Sequence, residues 1–346
     1  MESNATLNVR CAEAGLPSPY YGRVRVSVVI VTFNGRERLE RALASLETQT
    51  RVPDEIVVVD NASTDGTLEL LATRFPGVVI SEQSANLGFG RAVNAGATLA
   101  TGDALVFINN DVVCQPDFIA NLTEPLLDDA VGMVAGVLLQ EADPGRIDTA
   151  GLVLDRTLRS WDYLGNCDVT VLDGLETPPL GPCGGAGAYR TEAFLGVGGF
   201  DETLFAYWED VDLAVRLNAA GWRCAIAPTA RAIHAHGATT GAMSPRMREL
   251  DAFGRGFIVG KYSVMRRGPV TAAATAMLDW PALAVHAVAR RELDPLRARR
   301  RGVAAGKGRP QSTATTPVGV NVRTGLKSQW GSTFDRLRGR GPAHFQ

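Results

Sequence analysis

The sequence predicts an α/β fold: a mostly parallel central sheet flanked by helices, with a helical extension towards the C-terminus. Three observations carry that expectation. Short runs of β-branched, almost wholly apolar residues recur along the first half of the chain, as strands buried on both faces of a parallel sheet should. Between them lie stretches whose apolar residues follow a helical spacing. The runs end abruptly in polar side chains, and in an open α/β sheet ligands bind in the crevice outside the carboxyl ends of the strands.

In chain order, residues 1–24 read as a loose lead-in. Residues 26–32 (Val-Ser-Val-Val-Ile-Val-Thr) form the first strand, broken by Phe33-Asn34-Gly35, and Leu39, Leu43 and Leu46 then recur at helical spacing. Residues 55–60 form the second strand, and its polar tail Asp60-Asn61-Ala62-Ser63-Thr64-Asp65-Gly66 supplies turn chemistry and N-cap side chains for a helix over 67–75. A short third strand covers 78–80. A helix opens at Asn86-Leu87-Gly88-Phe89-Gly90 and runs to Leu99, and a fourth strand over 104–108 ends in Asn109-Asn110-Asp111. A helix over 116–127 and a strand over 131–139 follow. Residues 140–180 read as irregular β structure and loops. Leu213, Leu217 and Ala220 mark a helix face closed at Gly221, and 222–227 a further strand. Strands alternating with helices of this length point to a sheet covered on both sides.

Composition narrows the function classes. Of 346 residues, 45% are hydrophobic and 21% charged, the balance of an ordinary globular protein. A formal net charge of −2 argues against nucleic acid as a partner, which needs a broad basic face. Five cysteines without Cys-x-x-Cys spacing suit a reducing cytosol and give no support for zinc. Residues 1–10 carry no apolar core of the kind a signal peptide has. A nicotinamide cofactor is also excluded. Its fingerprint places Gly-x-Gly-x-x-Gly directly after the first strand, where this chain has Phe33-Asn34-Gly35-Arg36-Glu37-Arg38.

Polar groups converge on one rim instead: Thr32 and Asn34, Asp60 and Asn61, then Asn109, Asn110 and Asp111. A carboxylate at a strand end suits a hard divalent cation bridging to phosphates, although Asp111 could equally turn the chain ahead of a helix. Gly184-Gly185-Ala186-Gly187 lets backbone approach a ligand closely. Glu209, Asp210 and Asp212 open a helix. Acids favour that end of the helix dipole, yet their spacing stops all three from sharing one role. Tyr207 and Trp208 beside them could desolvate a carboxylate into a useful base. His234 and His236 offer imidazole as metal ligand or as core residues.

These motifs, taken in order, resemble glycosyltransferase family 2, particularly its bacterial rhamnosyltransferase-like members. The resemblance rests on residues 31–34, 59–65, Asn86-Leu87-Gly88 with Asn94-Ala95-Gly96, Asn109-Asn110-Asp111, Gly198-Gly199-Phe200-Asp201-Glu202 and Trp208-Glu209-Asp210-Val211-Asp212-Leu213. It implies a GT-A catalytic domain over 25–240 and an inverting transfer of a sugar from a nucleotide diphosphate to a glycan or lipid-linked hydroxyl. Rhamnose from dTDP-rhamnose is the donor it points to first. Thr32, Asn34, Asp60 and Asn61 then fall at nucleoside-binding positions, Arg91 near the diphosphate, Asn109, Asn110, Gly184 and Gly185 around the donor. Asp210 matches the general base and Glu209 its acidic neighbour. Asp111 matches the last acid of the metal motif for Mg2+ or Mn2+, which here reads Asn-Asn-Asp and leaves one protein carboxylate. His234 is the candidate second ligand.

Residues 241–305 read as a helical extension and 306–346 as a polar, disordered tail. Residues 270–289 are apolar but interrupted by Asp279 and Pro281, and arginines follow at 290, 291, 297 and 299–301. That pattern suits either a helix lying on an anionic membrane surface, hence a cytoplasmic protein at the inner face of the plasma membrane, or a helix packed on the catalytic domain with a solvated basic tail. Two rival functions stand beside the transferase: a sugar nucleotidyltransferase, for which the loop after the first strand is a poor match, and a non-catalytic nucleotide-sugar-binding module.

Overall fold

The computed structural model describes residues 24–175, 177–235, 244–289 and 293–309. The lead-in over 1–23, His236, Arg290, Arg291 and the tail over 310–346 lie outside the described residues.

Four parallel strands form one half of the sheet: β1 (Val26–Thr32), β2 (Glu55–Asp60), β3 (Val79–Glu82) and β4 (Ala104–Asn109), in the spatial order β3-β2-β1-β4. Beyond β4 the sheet is mixed. A late strand, β10 (Ala186–Arg190), runs antiparallel to β4 on one side and to β6 (Val131–Gln140) on the other. β11 (Arg223–His234) lies parallel to β6, and β5 (Val112–Cys114) pairs antiparallel with its end. The strand expected over 222–227 is therefore longer. A shift in register between Ile226 and Arg231 lets it pass Pro228 and carry on to His234. Within the stretch expected to be irregular, β7 (Ile147–Thr149) pairs with β6, while β8 (Leu152–Leu154) and β9 (Ser160–Asp162) make a separate hairpin.

Alternation along β1 explains the layers. Val28 and Ile30 face a core built with Leu39, Leu43 and Leu46 of helix α1 (Arg36–Glu47), Leu71 of α2 (Thr67–Arg74) and Phe118 of α4 (Phe118–Thr123). Val29 faces a second core with Ala92 and Val93 of α3 (Phe89–Leu99), Phe194 of α5 (Thr191–Gly196) and Leu213 and Leu217 of α6 (Glu209–Ala219). α3 sits so close to the sheet that a Cβ on Gly96 would come within 2.5 Å of Val29. Phe107 on β4 meets the Phe194 ring edge-on at 5.0 Å, which anchors the strand that presents Asp111.

Three more helices follow: α7 (Pro245–Lys261), α8 (Pro269–Ala289) and α9 (Asp294–Gly306). α7 and α9 cross backbone to backbone. Gly256-x-x-x-Gly260 on one and Gly302-x-x-x-Gly306 on the other face each other, and a Cβ at any of the four would overlap a carbonyl oxygen across the crossing. α8 is held at its midpoint by Asp279, buried among Arg159, Arg255 and Arg299.

Candidate active site

Register brings the strand ends together, since Thr32 lies beside Asp60 and Val31 beside Asn109. Most of these side chains build the rim. Buried Thr32 accepts a hydrogen bond from Asn110 Nδ2 at 3.0 Å, and a Cβ on Gly35 would strike that amide. Asn34, in the left-handed region at φ 48°, accepts at Oδ1 from the Thr64 backbone N–H at 2.8 Å. Asn61 spans to the next loop, donating to the Gly88 carbonyl at 3.2 Å and accepting from the Leu87 N–H at 3.3 Å. Asp60 differs. Its Oδ2 accepts from the Ser63 N–H at 3.0 Å, but the buried Oδ1 has no protein donor. An oxygen left this way costs about 1–3 kcal/mol, so Asp60 keeps acceptor capacity for a ligand N–H.

Asp111 follows β4, and its carbonyl accepts from the Ala235 N–H at 2.9 Å, which draws the end of β11 alongside. His234 Nε2 consequently lies 3.4 Å from Asp111 Oδ1, while Nδ1 lies 2.7 Å from Asp148 Oδ2 on β7. Burial would lower the imidazole pKa, but the Asp111 and Asp148 carboxylates outweigh it and push it up to about 9. Burial would raise Asp111. The His234 contact and, more weakly, Arg38 bring it below the usual carboxylate range. One carboxylate and one imidazole are donors that Mg2+ or Mn2+ accepts, and beyond the His234 ring nitrogen at 3.4 Å the buried Asp111 Oδ1 has no hydrogen-bond partner. The pair therefore fits a divalent cation. Among the described residues no third His, Cys, Asp or Glu joins them into a metal-binding group, so the other coordination positions would fall to phosphate oxygens and water.

Glu209 and Asp210 sit at the start of α6 behind two strained residues. Tyr207 (φ 69°) and Trp208 (φ 75°) are both left-handed, at a cost of order 1–2 kcal/mol each. Helix α7 holds the turn, because Trp208 Nε1 donates to Asp251 Oδ1 at 2.8 Å and a Cβ on Gly254 would lie 2.6 Å from the Trp208 ring. The two acids then meet different environments. Glu209 is 6% exposed and its Oε2 has no partner. Burial first, and the Asp210 charge second, push its carboxyl up to about 8. Burial raises Asp210 as well, but Oδ2 accepts from the Gly184 N–H at 3.0 Å and Oδ1 from its helix neighbour Val211 at 2.8 Å. Two N–H donors favour the ionised form. Charge is therefore favoured on Asp210 and the proton on Glu209, whose Oε2 has no such donor.

The third acid, Asp212, is structural. Fully buried, it pairs with Lys261 at 2.7 Å and Arg216 at 2.7 Å and accepts from the Tyr262 hydroxyl at 2.8 Å. The 184–185 glycines link the two halves of the crevice. Gly184 donates to Asp210, and the Gly185 carbonyl accepts from the Asn109 N–H at 2.9 Å. Arg91 turns to Glu202 at 2.9 Å on the outer surface of α3. Sequence reasoning missed three charged groups of the crevice: Arg38, Asp148 and Asp162 on β9. Asp162 keeps an open surface although protein bulk surrounds it. That bulk, then the Asp148 and Asp210 charges, push it up to about 6. Nothing in the spacing of 140–180 marks either aspartate.

Residues 27–167 match the model of glycosyl transferase family 2. Over 239 residues the chain is 34% identical to the N-acetylglucosaminyl-diphospho-decaprenol L-rhamnosyltransferase of Mycobacterium tuberculosis, covering 62% of this chain and 77% of that one. It is 25% identical to the O-antigen chain rhamnosyltransferase RfbN of Salmonella typhimurium, over 62% of this chain and 68% of that one. Among solved structures, the Pyrobaculum calidifontis mannosyltransferase in complex with GDP-Man and Mn2+ superposes with a TM-score of 0.53 at 21% identity, over 97% of this chain and 94% of that one. At that identity the likeness speaks for the fold alone, a GT-A sheet with helices on both faces.

Proposed function

The chain belongs to glycosyl transferase family 2 and is rhamnosyltransferase-like, and from that premise we propose that it is an inverting hexosyltransferase. Its donor is a nucleoside-diphosphate sugar, dTDP-rhamnose in the first instance, and its acceptor a hydroxyl on a lipid-linked or cell-envelope glycan. The relatives' names support this choice, one acting on a decaprenol-linked sugar and one on an O-antigen chain. The observation that carries the reading is the difference between two adjacent acids: Asp210 accepts from the Gly184 and Val211 N–H groups, whereas the buried Glu209 Oε2 has no partner.

In this scheme Asp60 Oδ1 accepts an N–H of the donor's base, while Thr32, Asn34, Asn61, Asn109 and Asn110 hold the loops that frame it. Asp111 and His234 hold Mg2+ or Mn2+, which when bound supplies neutralising charge for the departing diphosphate. Asp210 removes the acceptor hydroxyl proton as that oxygen attacks the anomeric carbon. The bond to the diphosphate oxygen breaks on the opposite face and its electrons leave with the diphosphate, so the configuration inverts and no covalent enzyme intermediate is needed. Protonated Glu209 does not compete for the proton, and it can donate a hydrogen bond to the acceptor.

A lipid-linked acceptor places the enzyme at a membrane surface. Among the described residues no helix is long and apolar enough to cross one. Instead, Val270 and Met277 stand 76% and 65% exposed on one side of α8, next to exposed Met265, Arg266 and Arg267. Apolar side chains beside cations suit anionic headgroups, and Asp279 keeps the other side of the helix on the protein. The test is transfer from a panel of dTDP-, UDP- and GDP-sugars, with Mg2+ or Mn2+, to a polyprenyl-diphosphate-linked N-acetylglucosamine. Product with inverted anomeric configuration is expected. Release of nucleoside triphosphate on adding diphosphate would identify a nucleotidyltransferase, and tight binding without turnover a binding module.

A further inference from the structure

We propose that Asp148 is a positioning residue that holds the His234 imidazole in the tautomer and orientation needed to bind the divalent cation. The proposal rests on the metal-dependent reading of Asp111 and His234 and adds a residue to it. Neutral imidazole carries one N–H and one lone pair, and only the lone pair binds metal. With Asp148 Oδ2 2.7 Å from Nδ1, the neutral ring that a cation requires would keep its proton on Nδ1 and leave its lone pair on Nε2, the nitrogen 3.4 Å from Asp111 Oδ1. Without that acceptor, the tautomer with its proton on Nε2 would donate to Asp111, and the lone pair would face away from the cation.

The carboxylate is mounted rigidly. Ile147 and Thr149 flank it on β7 with their side chains buried, so alternation turns Asp148 to the opposite face. The Ile147 N–H donates to the Cys167 carbonyl at 2.9 Å, the Ile147 carbonyl accepts from the Asn166 N–H at 2.6 Å, and Thr149 Oγ1 donates to the Gly151 carbonyl at 2.9 Å. His234 is fixed as firmly, paired across β11 with Gln140 of β6 and Val112 of β5. Neighbouring strands of one sheet thus set the Asp148–His234–Asp111 line.

The experiment measures Mn2+ itself, on the full chain with UDP or dTDP, for wild type, Asp148→Asn, Asp148→Ala and His234→Ala. Titration gives the Mn2+ affinity, and pulsed EPR reads the coupling of Mn2+ to an imidazole 14N. Outer-shell partners of metal-binding histidines typically contribute 10–100-fold in affinity. The expected result is a loss of that size in Asp148→Ala, a smaller one in Asp148→Asn, and a weakened or absent 14N signal with an unchanged melting temperature. If the alanine variant does not fold, the asparagine variant decides. Wild-type affinity and an intact 14N signal in the folded variants would overturn the proposal and leave the metal site standing. A wild type that binds Mn2+ without 14N coupling, or does not bind it, would instead overturn the assignment of His234 as a ligand, and the proposal with it.

Discussion

Replacing Asp210 with Asn removes the group proposed to take the acceptor proton while changing almost no volume. A positioned base contributes roughly 10²–10⁴-fold, which is about 3–5 kcal/mol of barrier at 1.36 kcal/mol per factor of ten. Because Oδ1 and Oδ2 accept from the Val211 and Gly184 N–H groups, Asn also sets an N–H donor against one of them, at about 1–3 kcal/mol of stability. Glu209→Gln has the opposite profile. Its Oε2 has no partner and its proton is retained up to about pH 8, so the amide imitates the form already present. Turnover with a working acceptor and donor affinity by calorimetry are measured on both. Asp210→Asn should lose 10²–10⁴-fold in turnover at near-normal donor affinity, with Glu209→Gln far milder. Near-normal turnover in Asp210→Asn beside a dead Glu209→Gln would reverse the roles.

The same pair makes a claim about pH. Between the ordinary glutamate value of 4.5 and about 8, Glu209 holds its proton in the folded state and loses it on unfolding. The unfolded state then binds fewer protons, so stability falls as pH rises, by at most about 1.4 kcal/mol per pH unit for one group. Glu209→Gln removes this term. Its melting temperature should exceed the wild-type value at pH 8, with the gap closing towards pH 5. Parallel melting curves across that range would show that Glu209 is ionised in the native protein.

Asp111→Asn should abolish Mn2+-dependent binding of a nucleoside diphosphate in calorimetric titration while the protein stays folded; unchanged affinity would sink the metal assignment. Val270→Asp with Met277→Asp changes only exposed side chains. It should release the protein from anionic vesicles, as should added salt, whereas equal binding to neutral and anionic vesicles would argue against the α8 surface. Gly302→Leu forces α9 away from the Phe253 carbonyl of α7. It should lower the melting temperature by several degrees, on the scale of about 1–3 kcal/mol for overpacking, and an unchanged melting temperature would mean that the helices do not cross so closely.

Strand runs were legible because burial on both faces writes a continuous apolar signature at β1, β2 and β4. The polar rim was legible because each of those runs stops dead. The division of labour within the rim was not: Thr32, Asn61 and Asp60 are all small polar residues at strand ends, and only register reveals which one keeps a free oxygen. Asp148 and Asp162 were hidden for another reason. They lie on three-residue strands in local hairpins, too short for any periodicity, and Asp148 meets His234 only across 86 residues of chain. The role of Asp212 could have been anticipated in part, since three acids in one helical turn cannot face one way, but its cation, Lys261, lies far along the chain. Arg91 pairs with Glu202 on the surface of α3, a partner distant in sequence that position along a helix does not disclose. The Gly256–Gly260 and Gly302–Gly306 spacings were readable and went unread.

Those glycines bear on the turn at 207–208. Left-handed Tyr207 and Trp208 would relax if nothing held them, and what holds them is α7: Asp251 on the Trp208 indole, the Arg255 guanidinium 5.4 Å from its ring, and Gly254 leaving space for it. Arg255 also donates to the Thr157 and Leu158 carbonyls at 2.9 Å, which ties the β8–β9 hairpin carrying Asp162 to the same helix. Nearly two helical turns further on, Lys261 enters the buried charge cluster of Asp212 under α6, where losing one partner costs about 3–5 kcal/mol. α9 then closes over α7 through the glycine crossing. The turn that presents Asp210, the proposed base, is thus shaped from behind by residues 251–261, and the strain at 207–208 persists because that support is charged, buried and closely packed. α7 and α9 in this sense support the proposed catalytic apparatus, since they set the turn that presents Asp210, while α8 leaves Val270 and Met277 facing outward.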